Sequence, residues 1–400
     1  MAEYQVKDLK MALSKAVESS YNSMLIADTD LYHGMVTSSR NIYIPDKEKF
    51  DDLGKIGTGQ EFATDQRSGY LSVPSLEISD ELNNGIAGVL FRRALGGAIS
   101  VSSDIEASLG FYNHTFSMLP NGTVAGRQLP SSTILWSIGG ADYMWGGVVV
   151  DQFRVDQSNS GVPTFTATLV GSGLHKRLRY LTANGELAVN GSNAYNGPYP
   201  GATLTEYPPS FPIPVRQNYM LGAESKISFT DSIGAYNPTA TGRIKSFSFT
   251  FNNAHRTDDR RPGDPRVASG NQTSGDPKSG HYVNRMLHGE RTATAEMTLM
   301  LDDTFREYTD AYTDDVITTF KYTAAGDLLK KAGTPYTASS ADNQNEFEIE
   351  IPKSFFRSVR GADDNGDAVV TMTVFPVYNG TDMPVKARML TNVNAAGTFI

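Results

Sequence analysis

The chain has 400 residues, 39% of them hydrophobic and 20% charged, with a formal net charge of -9 and no cysteine. That composition is globular and long enough for two cores, and it excludes a disulfide framework or a cysteine-based metal site. The acid excess argues against a protein that grips nucleic acid by neutralising phosphates, although a weakly acidic wall lets a polyanion slide past by repelling its backbone.

In chain order, residues 5–20 predict a short amphipathic helix with Val6, Leu9, Leu13, Ala16 and Val17 on one stripe. Met1 to Ser20 lacks the long apolar core of a secretory signal, and no run approaches the ~20 apolar residues of a membrane-spanning helix, so no membrane is expected among the partners. Residues 41–70 read as irregular, either an extended arm or a surface loop.

From Tyr70 onward the pattern is β. Predicted strands are Tyr70 to Ile78, Ala98 to Ser102, Thr133 to Ile138, Trp145 to Val155, Thr164 to Gly171, Lys226 to Thr230 and Gly242 to Phe251. Arg291 to Leu301, Val316 to Tyr322, Glu346 to Ile351, Phe355 to Val359, Ala368 to Tyr378 and Val385 to Leu390 complete them. Asp80 to Leu95 and Thr304 to Tyr312 predict two helices.

The clearest signal is the strand pair around a long loop. Phe247, Phe249 and Phe251 alternate with Ser246, Ser248 and Thr250, and Ala293, Ala295, Met297, Leu299 and Leu301 alternate with Thr292, Thr294, Glu296 and Thr298. Strict period-two alternation means one buried and one wet sheet face. The connection, Asn252 to Glu290, far exceeds the roughly 2–5 residues of an ordinary hairpin loop, so it is expected to have a task.

Trp145 to Val155 with Thr164 to Gly171 forms an earlier pair of the same kind, turned by Asn159, Gly161 and Pro163. Two readings stand: tandem copies of one β fold, or sandwich strands alike through shared physics. The tandem reading divides the chain into an N-terminal helix and arm (1–40), a first β domain (41–215) and a second (216–400) carrying the long loop 252–290, with a Pro-rich crossing at Tyr207 to Val215.

Motifs for chemistry are weak. The six histidines show no metal-binding spacing such as HExxH. Gly57-Thr58-Gly59-Gln60-Glu61-Phe62 lacks the third glycine of a dinucleotide fingerprint. Asp363-Asp364-Asn365-Gly366-Asp367 has the oxygen density of a calcium loop, but its glycine comes too early, and Asn-Gly between strands reads as a hairpin turn. No enzyme, cofactor or metal is expected. In the long loop, His255, Arg256, Asp258, Asp259, Arg260, Arg261, Asp264 and Arg266 mix both charge signs, and Pro262 and Pro265 stiffen the path. That pattern suits ion pairs with a repeating partner; the bland alternative is a solvated loop.

Several runs resemble tail tube proteins of long-tailed bacteriophages: PDKEKFDDLGKIGTGQEFAT with ALGG before residue 98, TFTATLVGSG at 164–173, GRIKSFSFTFNN with its return TATAEMTLMLDD, and AVVTMTVFPVYNG followed by PVKARML. The resemblance covers most of the chain from Asn41 onward and implies a β-sandwich or barrel with short flanking helices. It further implies a virion protein assembled in the host bacterial cytoplasm as stacked rings, six-fold, or three-fold if each chain holds two copies of the fold. Its partners would be copies of itself, the tape measure protein, and the terminator and baseplate proteins, with genomic DNA passing through unbound. Ser246, Ser248, Thr250, Thr292, Thr294 and Glu296 would then be candidates for the channel lining, and Arg256, Asp258, Asp259, Arg260, Arg261, Asp264 and Arg266 for ring stacking. The alternatives are another tail component, such as a terminator or baseplate protein, and a carbohydrate-binding or hydrolytic β-sandwich using Trp136, Trp145 and tyrosines as stacking surfaces.

Overall fold

Among the described residues, alternating apolar and polar side chains fold almost entirely as antiparallel strands, with two short helices. The computed structural model describes residues 10–22, 24, 32–35, 47–51, 66–71, 73–103, 112–119, 128–138, 141–159, 161–178, 219–231, 239–241, 243–257, 283, 286–301, 305–328, 330–331, 334–335, 344–378 and 383–391. The mainly-β fold class expected from the sequence is the one found. Among the described residues no helix is long and apolar enough to cross a membrane.

The first run of elements is β1 (Lys10–Ser14), β2 (Tyr32–Met35), β3 (Lys47–Asp51), β4 (Gln66–Leu71), β5 (Ser75–Glu81), α1 (Ile86–Leu95), β6 (Gly96–Ser103), β7 (Tyr112–Met118), β8 (Ser132–Ile138), β9 (Ala141–Ser158), β10 (Thr164–Val170) and β11 (His175–Leu178). The second is β12 (Met220–Asp231), β13 (Thr239–Thr241), β14 (Ile244–Asn252), β15 (Thr292–Met300), α2 (Phe305–Thr313), β16 (Thr318–Leu328), β17 (Lys330–Lys331), β18 (Thr334–Pro335), β19 (Gln344–Asp364), β20 (Asp367–Pro376) and β21 (Lys386–Thr391).

The two runs share one ladder plan. β1 pairs β2 and β8, as β12 pairs β13 and β16. Next come the two longest strands, β9 with 18 residues and β19 with 21, and each changes partners midway. β9 pairs β8 and β11 through its first half and β10 through its second; β19 pairs β16 and β21, then β20. β10 continues to β5 as β20 continues to β15, and a helix follows both β5 and β15. Two further ladders, β9 with β14 and β7 with β21, join the runs.

These ladders build two layers. One runs β5, β10, the second half of β9, β14, β15, β20 and the second half of β19. The other runs β6, β7, β21, the first half of β19, β16, β12 and β13. One core lies between them and draws on both runs: Phe153 and Phe165 from the first, and Phe229, Phe247, Phe249, Phe251, Phe320 and Phe347 from the second, all nearly inaccessible. Each such ring contributes about 1.5–3 kcal/mol by leaving water. Phe91 of α1 is the hub, touching Phe116, Phe153, Phe249 and Phe347. α1 ends at Gly96, whose φ of 74° is the left-handed cap that a Cβ would disfavour. Tyr308 of α2 packs against Phe229 and Phe356.

Some sequence expectations change. Residues 10–14, expected within a helix, form β1, because pairing with β8 and β2 buries Met11 and Leu13 at strand spacing. Met11 and Leu13, two apart, share a face in a strand and not in a helix, and sheet pairing wins over the helical stripe expected through Leu9 and Leu13. The helix expected from Asp80 begins at Ile86, since Asp80 and Glu81 extend β5 against β10. Strands β1, β2, β3, β7, β11, β13, β17 and β18 lie where no strand was expected, the strand expected over Tyr70 to Ile78 divides between β4 and β5, and Glu346 to Ile351 and Phe355 to Val359 merge into the single β19.

Candidate functional site: a polar sheet face and its edges

β14 and β15 pair so that every polar position of one meets a polar position of the other. Ser246 faces Thr298, Ser248 faces Glu296, Thr250 faces Thr294 and Asn252 faces Thr292. All six expected lining residues, Ser246, Ser248, Thr250, Thr292, Thr294 and Glu296, therefore share one face. Ser246, Thr292 and Glu296 are exposed, and the other three are half-buried. The opposite face carries Phe247, Phe249 and Phe251, each at most 2% exposed.

The register extends this face sideways. Asp156 of β9 meets Ser248, and Arg154 meets Thr250; Thr164 and Thr166 of β10 follow, then Glu81 and Ser79 of β5. On the other side Glu296 meets Thr373 of β20, and Thr298 meets Thr371, which pair with Ser358 and Arg360 of β19. A seven-stranded layer thus presents hydroxyls over most of its outer surface. Its charges are sparse and partly cancelled, Arg154 and Asp156 forming an ion pair at 2.7 Å worth at most about 1 kcal/mol at this exposure. Sequence reading missed the contribution of β9, β10 and β5, although Thr164, Thr166 and Thr168 alternate as plainly as the β14 serines.

Both edges of this layer are open among the described residues. Among the described residues β5 pairs on one side only, with β10, and exposes Glu77 and Glu81. The second half of β19 pairs only with β20 and exposes Arg357 and Arg360. Its aromatic end is ordered by Phe355 against Phe375, centroids 4.0 Å apart, with Arg357 over the Phe375 ring at 5.7 Å. Unpaired strand edges of this length invite pairing with another chain.

The root of the long loop is built into the body. Asn253, fully buried, donates its amide to the carbonyls of Ala94 and Val150 at 3.0 and 2.9 Å. Arg256 bridges to Leu287, and the returning limb buries Val283 and Met286 against Val149 and Val170. His255 donates its backbone N–H to Asp151, and its Nδ1 lies 2.9 Å from the same oxygen. Burial pushes the Asp151 carboxyl up, but the two His255 hydrogen bonds outweigh it and hold it below the usual range. Of the expected stacking residues, Arg256 is exposed at this root; Asp258, Asp259, Arg260, Arg261, Asp264 and Arg266 lie outside the described residues.

A buried polar cluster fastens the N-terminal segment. Glu18 accepts from Ser131 Oγ at 2.7 Å, Thr133 Oγ1 at 2.9 Å, and the backbone N–H of Asn22 and Gly147. Arg93 donates to the carbonyls of Ser14 and Lys15 and to Ser132 Oγ. Burial raises the Glu18 carboxyl against all four hydrogen bonds. Burial and then Arg92 lower the Arg93 guanidinium to about 9, opposed by Glu18. The cluster holds β1 and the following turn on β8 and α1.

Other candidates resolve as structure. The oxygen-rich run is a hairpin turn, with Asn365 and Gly366 at φ of 56° and 92°, and Lys245 bridges Asp364 and Asp367 at 2.9 and 2.8 Å. Trp136 and Trp145 are 2% and 3% exposed and pack on each other, so neither offers a stacking platform. Among the described residues no group of three His, Asp or Glu side chains is placed to hold a metal. A cavity of about 570 Å³ opens beside the loop root, lined by Phe251, Arg291, Ala293, Tyr378 and Val385 among others.

No family model matches the chain, and no curated protein matches it. Among solved structures, a hybrid solid-state NMR and cryo-EM structure of the SPP1 tail tube is similar with a TM-score of 0.24 and 12% identity, over 44% of this chain and 87% of that one, a likeness too slight to carry an argument.

Proposed function

We propose that this chain is a structural subunit that closes into rings, stacks them into a tube, and turns its hydroxyl-rich face to the bore. The observation that carries this reading is the repeated ladder plan. Inside one chain, β9 of the first run is joined to β14 of the second. The second half of β19, which occupies in the second run the place β9 has in the first, ends in an edge with no partner among the described residues. A joint made once within the chain and left open at its ends repeats head to tail between chains, and such heterologous contacts close rings. The position that β14 takes in the second run falls in the first to the segment ahead of β5, where among the described residues β4 pairs only with β3.

On this reading each chain supplies two tandem copies of one fold, and three chains give a ring of six repeats. The outer hydroxyl face supports a bore for a polyanion, since neutral hydroxyls and a slight acid excess neither bind nor trap phosphates. The sequence resemblance supports the tail tube of a long-tailed bacteriophage as the setting. There the partners are further copies, the tape measure protein, and the terminator and baseplate proteins, with genomic DNA passing through. The chain would be assembled in the host cytoplasm and carry neither enzyme activity nor a cofactor.

Negative-stain electron microscopy of the overexpressed protein, with native mass measurement of its smallest assembly, tests this. Tubes or stacked rings of three chains are expected. A ring of six chains sinks the tandem-copy trimer, and a protein that stays monomeric at high concentration sinks the ring altogether.

A further inference from the structure

The two ends of the β14–β15–β20 ladder are unlike and complementary. At one end the hairpin turn between β19 and β20 projects Asp363, Asp364 and Asp367, of which only Asp364 and Asp367 are engaged by Lys245. Met300 and Leu301 lie beside it at 43% and 38% exposure, and the Leu301 N–H donates to Ala368. At the other end, about 30 Å away at 3.3 Å per residue over the nine residues of β14, is the cavity of about 570 Å³. Phe251, Ala293, Val385, Met118 and Met383 make its walls apolar, and Arg291 supplies a cation. The Arg291 guanidinium donates to the Leu119 carbonyl, and burial lowers its pKa to about 10. Tyr378, 59% exposed, also lines it.

We infer that this cavity is the receptor for a second copy of the chain in the stacking direction, which seats its β19–β20 turn there with Asp363 on Arg291 and Met300 and Leu301 against the apolar wall. Four features support that occupant. The cavity falls in the roughly 300–1,000 Å³ range of sites that enclose a binding group. Its single charge is opposite to that of the turn. Exposed apolar side chains stand beside the acids at the far end of the same ladder. Finally, the two features lie at opposite ends of strands, so occupancy propagates head to tail along the strand direction and leaves the lateral edges free. The docking rests on the ring-and-tube reading and assigns to the body of the fold a stacking role that the sequence placed in the long loop alone.

The chain has no native cysteine, which makes cross-linking clean. Asn365→Cys with Tyr378→Cys in one chain, oxidised after assembly, is expected to give a ladder of covalent multimers on a non-reducing gel, and either substitution alone none. Arg291→Glu is expected to leave rings but shorten tubes about tenfold or more, the effect of losing roughly 1.4 kcal/mol per contact. Asp363→Arg, at an exposed turn position whose carboxylate accepts the Gly366 N–H at 3.2 Å, should do the same, and the two together should restore length. Tubes of normal length in both single charge variants, or wild-type-like tubes of the double-cysteine protein with no ladder, overturn this docking and leave the tube reading standing. Wild-type protein that forms neither rings nor tubes overturns both.

Discussion

Phe247 of β14 lies flat on Tyr322 of β16, ring centroids 4.0 Å apart and planes 12° from parallel. This contact ties the two layers together directly behind the polar face, because Phe247 sits between Ser246 and Ser248 on the same strand. Its polar end is satisfied as well. The Tyr322 hydroxyl donates to Gln157 Oε1 at 2.9 Å, and the Gln157 amide donates to the carbonyls of Gly222 and Asn159. Burial accordingly raises the Tyr322 phenol well above its ordinary value.

Replacing Phe247 with Ala is expected to lower the unfolding free energy by about 3–5 kcal/mol, through lost transfer energy and an unfilled cavity. Ser248→Ala, one residue away on the wet face, should stay within about 0.5 kcal/mol. Urea titration of the two variants, followed by tryptophan fluorescence, measures the contrast. Equal losses would mean that the two faces are not distinguished as described.

That contrast was legible in the sequence, because a layer with one wet face writes its period into the residues. Elsewhere the writing is fainter. β7 reads Tyr-Asn-His-Thr-Phe-Ser-Met and buries fully only His114 and Phe116, so too few apolar residues repeat to mark a strand. β19 appeared as two strands because Pro352 interrupts it. Its interruption falls where the ladder with β16 shifts register, near the hand-over from β16 and β21 to β20, a position where a missing N–H is tolerated. The tandem reading matched β9 and β10 with β14 and β15, whereas the shared ladder plan makes β19 and β20 their counterparts, since pairing partners far apart in the chain leave no local pattern. The six polar residues of the candidate face were found by alternation, but the flanking rows on β9, β10 and β5 needed the register.

Arg93 and Glu18 give a test of the buried cluster. Removing the cation by Arg93→Met leaves the Ser14 and Lys15 carbonyls and the Ser132 hydroxyl without this donor, at a cost of about 1–3 kcal/mol for a buried group left unsatisfied. The pH dependence has a definite sign. Because the folded Glu18 pKa is raised above its model-compound value of 4.5, the folded state holds the proton where the unfolded chain has released it. Its contribution is complete below the unfolded value and is lost as pH rises through the folded one. Melting curves from pH 7 down to pH 5 should therefore show this group favouring the folded form as acid is added. Glu18→Gln should remove that component, and an unchanged pH slope in the variant counts against the assignment.

If the hydroxyl face lines the proposed bore, making it basic should hold DNA back. Ser248→Lys and Thr250→Lys place new cations on the outer face beside Asp156 and Arg154, where they do not disturb the core. Assembly is expected to survive, while passage of DNA slows through added phosphate contacts and recovers at high salt, because each neutralised phosphate steepens the salt dependence. Ejection kinetics of particles carrying the variants read this out. Rates equal to wild type at low salt would place the face away from the DNA.

The long loop has a root anchored in the body. Asn253 is held by Ala94 and Val150, Arg256 by Leu287, and Val283 by a backbone bond to Ser172 and burial beside Met286. Deleting residues 258–281 and closing the gap with a short Gly-Ser linker keeps every one of these contacts, and loop-closure entropy changes only slowly with length. The shortened chain should melt within a few degrees of the parent. If the charged segment Asp258 to Arg266 helps to stack rings, the variant yields rings and short stacks instead of long tubes, scored as a length distribution by electron microscopy. Full-length tubes would assign stacking to the folded body alone, whereas a collapse in thermal stability would show that the root depends on residues beyond those contacts.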